Sequence, residues 1–202
     1  MTEDIHLHRD DEASKIGMWL FIFTELLLFG GLFIAYSIYR FRNPDAFHLA
    51  AEELDRSVGI INTIILLISS ATIAMALTAI QLKKIGHAKL LTAITIVLAF
   101  VFLINKYFEW GAKIEHRLYP GSEHLMELSQ GEILFFGLYF AMTGLHALHI
   151  LIGLTLMFIV LARLQNGSLA PDNFSLLENS ALYWHLVDII WIFLFPLFYL
   201  IT

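Results

Sequence analysis

Five ionisable side chains lie inside long apolar stretches of this 202-residue chain and are its first candidates for chemistry. They are Glu25, His146, His149, His185 and Asp188, and two more, Lys106 and Glu109, lie near one end of a further apolar stretch. Titratable groups are rare in such surroundings because burying a charge away from water is costly, so they often mark proton or ion sites. Asn62 and Thr63, in another apolar stretch, add neutral hydrogen-bonding groups to the set.

His185 and Asp188 are three residues apart, which places them on one face of a helix. An imidazole beside a carboxyl group can relay a proton. The same pair can instead serve packing, with each group supplying the hydrogen-bond partner that the other needs. We expect this structural role, in which the pair ties its helix to the neighbouring helices.

His146 and His149 have the same spacing, and two histidines so placed can bind a metal ion or a haem. No third ligand accompanies them, because His185 belongs to another helix and has Asp188 beside it. We therefore expect neither a metal nor a haem in this chain. Small residues on the same segment predict close packing against a neighbouring helix. They are Gly137, Ala141 and Gly144.

Glu25 has no cation near it in the sequence, and its own helix supplies mostly Phe, Leu and Ile. We expect its carboxyl group to be neutral, because an isolated buried carboxylate is unfavourable. Two roles remain open for it. It can handle protons, or it can form a hydrogen bond with Asn62 or with a serine of the same apolar run as Asn62.

Five apolar runs must position these side chains. At 58% hydrophobic and 15% charged, the chain differs from soluble proteins, which have about 45–50% apolar and about 25% charged residues. Each run has the roughly 20 residues that a helix needs to cross a bilayer, and none has the alternation of a β-barrel strand. The sequence predicts an all-α integral membrane bundle, with residues 1–15 as a polar N-terminal segment and 16–202 as the five-helix domain. The runs are 16–39, 58–82, 90–110, 133–161 and 182–202.

Cysteine content and charge exclude several classes of protein. With no cysteine, the chain has no disulfide, thiolate zinc site, iron–sulfur cluster or copper–thiolate centre. With a net charge of −6 and no basic stripe, it lacks the signature of nucleic-acid binding. Lysine and arginine divide equally between the two sides of the bundle, but the dense group Lys83, Lys84 and Lys89 favours a cytoplasmic N-terminus. Residues 1–15 also lack the basic start of a secretory signal.

Four segments carry motifs, in the order KIGMWLFIFTELLLFGG (15–31), NTIILLISS (62–70), FAMTGLHALHILIG (140–153) and YWHLVDIIW (183–191). Together they resemble subunit III of haem–copper respiratory oxidases. The long form of that family has seven helices, and this chain resembles the last five. Thr24 stands where the family usually has serine, Ala147 stands where glycine is common, and Lys106 is an unusual charge in the third run.

The resemblance implies a non-catalytic subunit of a complex that couples oxygen reduction to proton translocation in aerobic electron transport. In the family, subunit I carries the haems and copper and subunit II receives the electrons. Subunit III packs on subunit I, binds phospholipid and supports proton uptake. By this resemblance Glu25 is the proton- or lipid-related residue, and the chain lies in a bacterial inner membrane with its C-terminus in the periplasm. The other polar groups form a structural network of Asn62, Thr63, His146, His149, His185 and Asp188.

Several alternatives stay open. A quinol oxidase subunit III, or the homologue that accompanies nitric oxide reductases, would have the same motifs, since donor and acceptor sites lie on other subunits. A small proton transporter using Glu25 and Asp188 is disfavoured by the absence of an internal repeat and of helices broken near the midplane. An intramembrane metalloenzyme built on His146 and His149 would need one metal ion per chain.

Overall fold

The computed structural model describes residues 2–170 and 173–201, with side chains described from residue 13 onward. Over these ranges the chain is α-helical and contains no β-strand, only an isolated bridge between Ala170 and Asn173. The all-α prediction is confirmed. The helices are α1 (Thr2–Arg42), α2 (Pro44–Glu52), α3 (Arg56–Gln81), α4 (Ile85–Glu115), α5 (Glu123–Glu127), α6 (Gln130–Gln165) and α7 (Ser175–Tyr199).

Five of these helices, α1, α3, α4, α6 and α7, are long and apolar enough to cross a membrane, as predicted. The short helices α2 and α5 lie in connections between the predicted apolar runs. Pro44 is placed in the first turn of α2, where its missing N–H costs no hydrogen bond. The hydroxyl group of Ser122 accepts a hydrogen bond from the backbone N–H of Leu125 and so caps α5.

Polar caps also determine where two long helices begin. The Asp55 carboxylate accepts hydrogen bonds from the backbone N–H groups of Ser57 and Val58 at the start of α3. Ser129 and Glu132 form a reciprocal capping box at the start of α6. Each cap satisfies N–H groups that have no partner within the helix.

The helices differ in how deeply they are buried. The α7 helix is the most buried of the five and packs against α1, α3 and α6, whereas α1 is the most exposed and contacts α6 and α7. The short loop after α3 makes α3 and α4 an antiparallel pair. A side chain of α7 that points into the bundle therefore lies near several helices at once. By contrast, α1 leaves a wide apolar face exposed.

Close packing occurs at a different glycine from those predicted. A Cβ atom on Gly153 would lie 2.7 Å from Trp184, so α6 and α7 approach closely only because this position is glycine. Of the predicted small-residue row, Gly144 lies against Trp110, but Gly137 has no neighbour within 4 Å and Ala141 is exposed. Within the described residues, that row faces outward over most of its length.

Candidate functional site: a polar layer inside the helix bundle

Glu25 on α1 has a partner on α6. Its carboxyl Oε2 lies 3.0 Å from Nε2 of His149, and the Glu25 side chain is 14% exposed. The other ring nitrogen, Nδ1, donates to the backbone carbonyl of Leu145 at 2.7 Å and therefore carries a hydrogen. A neutral ring then has only a lone pair at Nε2, so a single proton lies between the ring and the carboxyl group. The sequence suggested Asn62 or a serine of α3 as a hydrogen-bond partner for Glu25, but its partner is His149, which lies 124 residues along the chain.

Asn62 and Thr63 on α3 form hydrogen bonds to two other helices. The Asn62 side-chain oxygen accepts from Asn105 Nδ2 on α4 at 2.8 Å. The Thr63 hydroxyl accepts from the indole N–H of Trp191 on α7 at 3.0 Å. These bonds connect α3 with α4 and α7, as a structural network would.

His185 and Asp188 on α7 do not form the predicted pair. His185 Nδ1 instead lies 2.7 Å from the hydroxyl oxygen of Ser70 on α3. Asp188 is buried, and its carboxyl oxygens meet no strict hydrogen-bond geometry among the described residues, but its carboxyl group interacts with the same Ser70 hydroxyl group. Residues three apart share a helix face, but their side chains reach different neighbours.

His146 is fully buried beside aromatic rings. Its ring centroid lies 5.2 Å from that of Trp191 and 5.6 Å from that of Phe102. Neither ring nitrogen has a hydrogen-bond partner among the described side chains. No group of three or more potential ligands among residues 13–170 and 173–201 could hold a metal ion.

A buried charge cluster lies around Lys106 and Glu109, the two ionisable residues near one end of the third apolar run. The Lys106 ammonium group donates to the hydroxyl oxygens of Tyr139 and Tyr199, at 3.1 and 3.0 Å, and lies 3.2 Å from Glu109 Oε1. Both tyrosine hydroxyls donate to that same carboxylate oxygen. The ring of Trp191 lies 5.4 Å from Nζ.

The donors and acceptors of this cluster match. Its members are Lys106, Glu109, Tyr139 and Tyr199. The three N–H groups of the ammonium ion have three acceptors, and each tyrosine has one donor and one acceptor role. The count fits a charged lysine, a charged glutamate and two neutral tyrosines. Lys106 and Glu109 are three residues apart and so share a helix face, whereas their partners Tyr139 and Tyr199 lie on other helices and could not be inferred from spacing.

Together, five membrane-length helices and a buried layer of cross-helix polar contacts define a multi-pass α-helical membrane protein. The sequence pattern of the family described as "Cytochrome c oxidase subunit III" matches residues 4–202. The chain belongs to this family, and it is a haem–copper oxidase subunit III.

Named relatives agree with this assignment. The chain is 30% identical to cytochrome c oxidase subunit 3 of Thermostichus vulcanus, over 98% of this chain and 92% of the relative. It is 29% identical to quinol oxidase subunit 3 of Bacillus spizizenii, over 92% and 85% of the two chains. It is also 33% identical to haem–copper oxidase subunit I+III of Aeropyrum pernix, over 94% of this chain. That match spans only 23% of the longer protein.

Proposed function

We propose that this chain is the accessory subunit III that packs on subunit I of a haem–copper terminal oxidase, with subunit II in the same complex. The observation that carries the proposal is the family match over residues 4–202, and the relative named as a fused subunit I+III supports the contact with subunit I. In this proposal the haems and copper belong to the partner subunits. An affinity tag on this chain should retain subunits I and II in mild detergent. Isolation of the chain without subunit I would contradict the proposal.

The electron donor is either a cytochrome c or a quinol, since relatives of both names match the chain. Turnover of the co-purified complex with each donor, together with haem and copper analysis, distinguishes the two. Reduction of nitric oxide instead of oxygen by that complex would assign the chain to the homologue that accompanies nitric oxide reductases.

We assign the proton-related role to Glu25. Its pair with His149 holds one shared proton, and the Glu25 side chain is partly exposed, so the proton has access to the surroundings. In Glu25→Gln, oxygen reduction should begin at the normal rate, while proton uptake slows or activity declines sooner during turnover. Glu178→Gln, which removes a partly exposed carboxylate paired with Lys15, is the matched control. Complete loss of oxygen reduction, or no effect at all, would contradict the role.

The lipid-binding part of the proposal rests on two open clefts beside the C-terminal end of α1. One, of about 700 Å³, has Arg42 at its edge, and the other, of about 500 Å³, has Arg40. Their walls include exposed Ile34 and Phe41. Apolar walls below guanidinium groups fit acyl chains below a lipid phosphate. Replacing both arginines with glutamine should lower the phospholipid content of the purified complex, and unchanged content would refute this assignment.

The proposed location is a bacterial inner membrane, with the N-terminus in the cytoplasm and the C-terminus in the periplasm. The chain has no native cysteine, so single cysteines at Gly86 and Glu123 can report the two sides. Glu123 is a better position than nearby Gly121, whose φ of +91° would strain a cysteine. An impermeant thiol reagent should label position 123 from outside and position 86 only after lysis, and the reverse pattern would contradict the orientation.

A further inference from the structure

A cleft of about 370 Å³ lies where the start of α3 meets the end of α4, and we name it the α3–α4 cleft. Its wall extends from Asp55, which caps α3, to Ile61, six residues further along the chain and about 9 Å along the helix. Its position at the polar ends of two membrane-length helices corresponds to the head-group region of a bilayer. Its lining residues are Glu53, Asp55, Val58, Ile61, Asn105, Phe108, Glu109, Ala112 and Lys113.

The charges in this cleft favour a cation. Glu53, Asp55 and Glu109 contribute three carboxylates, and Lys113 contributes one ammonium group that donates to the backbone carbonyl of Glu53. Glu109 is neutralised by Lys106 beneath it. The cleft therefore retains an excess of one negative charge, from the exposed carboxylates of Glu53 and Asp55 against Lys113.

Glu109 provides an independent sign that a hydrogen-bond donor would be stabilised at the cleft. Its side chain is only 4% exposed and lines the cleft, and its Oε1 accepts every hydrogen bond that the buried cluster offers. Its second oxygen, Oε2, has no hydrogen-bond partner among the described residues. A buried carboxylate oxygen without a donor is unfavourable, so a donor from a ligand would stabilise it.

Below the charged rim the walls become apolar and open towards the lipid. Ile61 and Phe108 are 51% and 68% exposed, and exposed Ile64 and Ile104 continue the same surface on α3 and α4. An occupant with a polar head and a long apolar chain matches both parts of this surface. A small inorganic cation would leave the apolar part without a function.

We propose that the α3–α4 cleft binds the head group of an amine-bearing zwitterionic phospholipid, with its primary ammonium group among Glu53, Asp55 and Glu109. The lipid phosphate lies towards Lys113, and an acyl chain follows the exposed face of α3 and α4. An anionic head group without an amine would meet the excess negative charge. The α1 clefts beside Arg40 and Arg42 have the opposite charge, so the two sites select different lipids.

The experiment measures lipid binding to the purified oxidase complex by native mass spectrometry after detergent exchange. Phosphatidylethanolamine and phosphatidylglycerol with identical acyl chains are titrated separately. The test variant is Glu53→Gln/Asp55→Asn, in which asparagine still caps α3 while the charge is removed. The control is Glu115→Gln, an exposed carboxylate at the end of α4 that does not line the cleft.

The double variant should weaken phosphatidylethanolamine binding about tenfold, since roughly two surface charge contacts are lost. Phosphatidylglycerol binding should stay equal or become tighter, because the negative charge that repels it is removed, and the control should change neither. Equal binding of phosphatidylethanolamine by wild type and variant would overturn the proposal, as would an equal loss of both lipids. Soluble glycerophosphoethanolamine, which carries the same head group without acyl chains, distinguishes binding of a free head group from binding of the whole lipid. If it binds as tightly as the lipid, the acyl-chain part of the proposal is wrong.

Discussion

Replacing Lys106 by methionine tests whether the buried cluster holds α4, α6 and α7 together. Methionine keeps most of the side-chain volume but removes the charge and three hydrogen-bond donors. Glu109 then remains buried with two tyrosine hydroxyls and without the cation bonded directly to it. We expect a large loss of stability, because a buried carboxylate without its counter-ion is unfavourable.

Two independent estimates agree on the size of this loss. The Lys106 ammonium group makes three polar contacts, at 3.0, 3.1 and 3.2 Å. Contacts of this kind inside membranes contribute about 0.6 kcal/mol on average and about 1.7 kcal/mol at most, so three give roughly 2–5 kcal/mol. Breaking a buried ion pair in a soluble protein costs about 3–5 kcal/mol. We therefore expect Lys106→Met to lower the free energy of unfolding by about 3 kcal/mol.

The assay is an SDS titration of the chain in mixed micelles, followed by the fluorescence of its four tryptophans. Lys84→Met, which removes an exposed lysine, is the control and should change the free energy of unfolding by less than about 0.5 kcal/mol. A double-mutant cycle adds Glu109→Gln alone and together with Lys106→Met. The double variant should cost about 2 kcal/mol less than the sum of the single variants, because neither charge is left alone. Additive effects, or a Lys106→Met effect as small as the control, would refute the ion-pair reasoning.

Two further outcomes are expected. Replacing His149 by leucine removes the alternative site for the shared proton, so Glu25 should become a neutral acid. It should then react more with a hydrophobic carbodiimide, which peptide mapping would detect. Unchanged or lower modification would contradict the one-proton assignment. Gly153→Ala should lower the free energy of unfolding by about 1–3 kcal/mol in the same SDS titration, because its Cβ would lie 2.7 Å from Trp184. Gly137→Ala is the matched control, with no atom within 4 Å, and equal effects of the two would contradict the packing argument.

The five membrane-spanning helices were predictable because each depends on a local property, an apolar run long enough to cross a bilayer. The family was predictable for a related reason, since its motifs are contiguous segments of about ten to twenty residues in a fixed order. The short helix α2 was not predicted. Nine residues are too few for a hydropathy signal, and the proline in its first turn also fits a loop.

The partners of the polar residues were not predictable, because they depend on which helices lie side by side. Glu25 and His149 are far apart in the sequence and meet through the contact of α1 with α6. Spacing placed His185 beside Asp188, but the nearer hydroxyl group of Ser70 lies on α3. Sequence spacing thus predicts which face a side chain shares, and only the assembled bundle determines its partner.

The hydrogen counts of the two charged groups support our assignment of the proposed proton-related role to Glu25 and His149 and not to Lys106. Lys106 has an acceptor for each of its three hydrogens and is buried, so any proton transfer would break contacts among three helices. Glu25 and His149 share one proton between two sites, and Glu25 is partly exposed on the most open helix of the bundle. Moving that proton changes a single contact between α1 and α6. We therefore propose that the interior cluster stabilises the bundle and that the pair at its edge exchanges a proton.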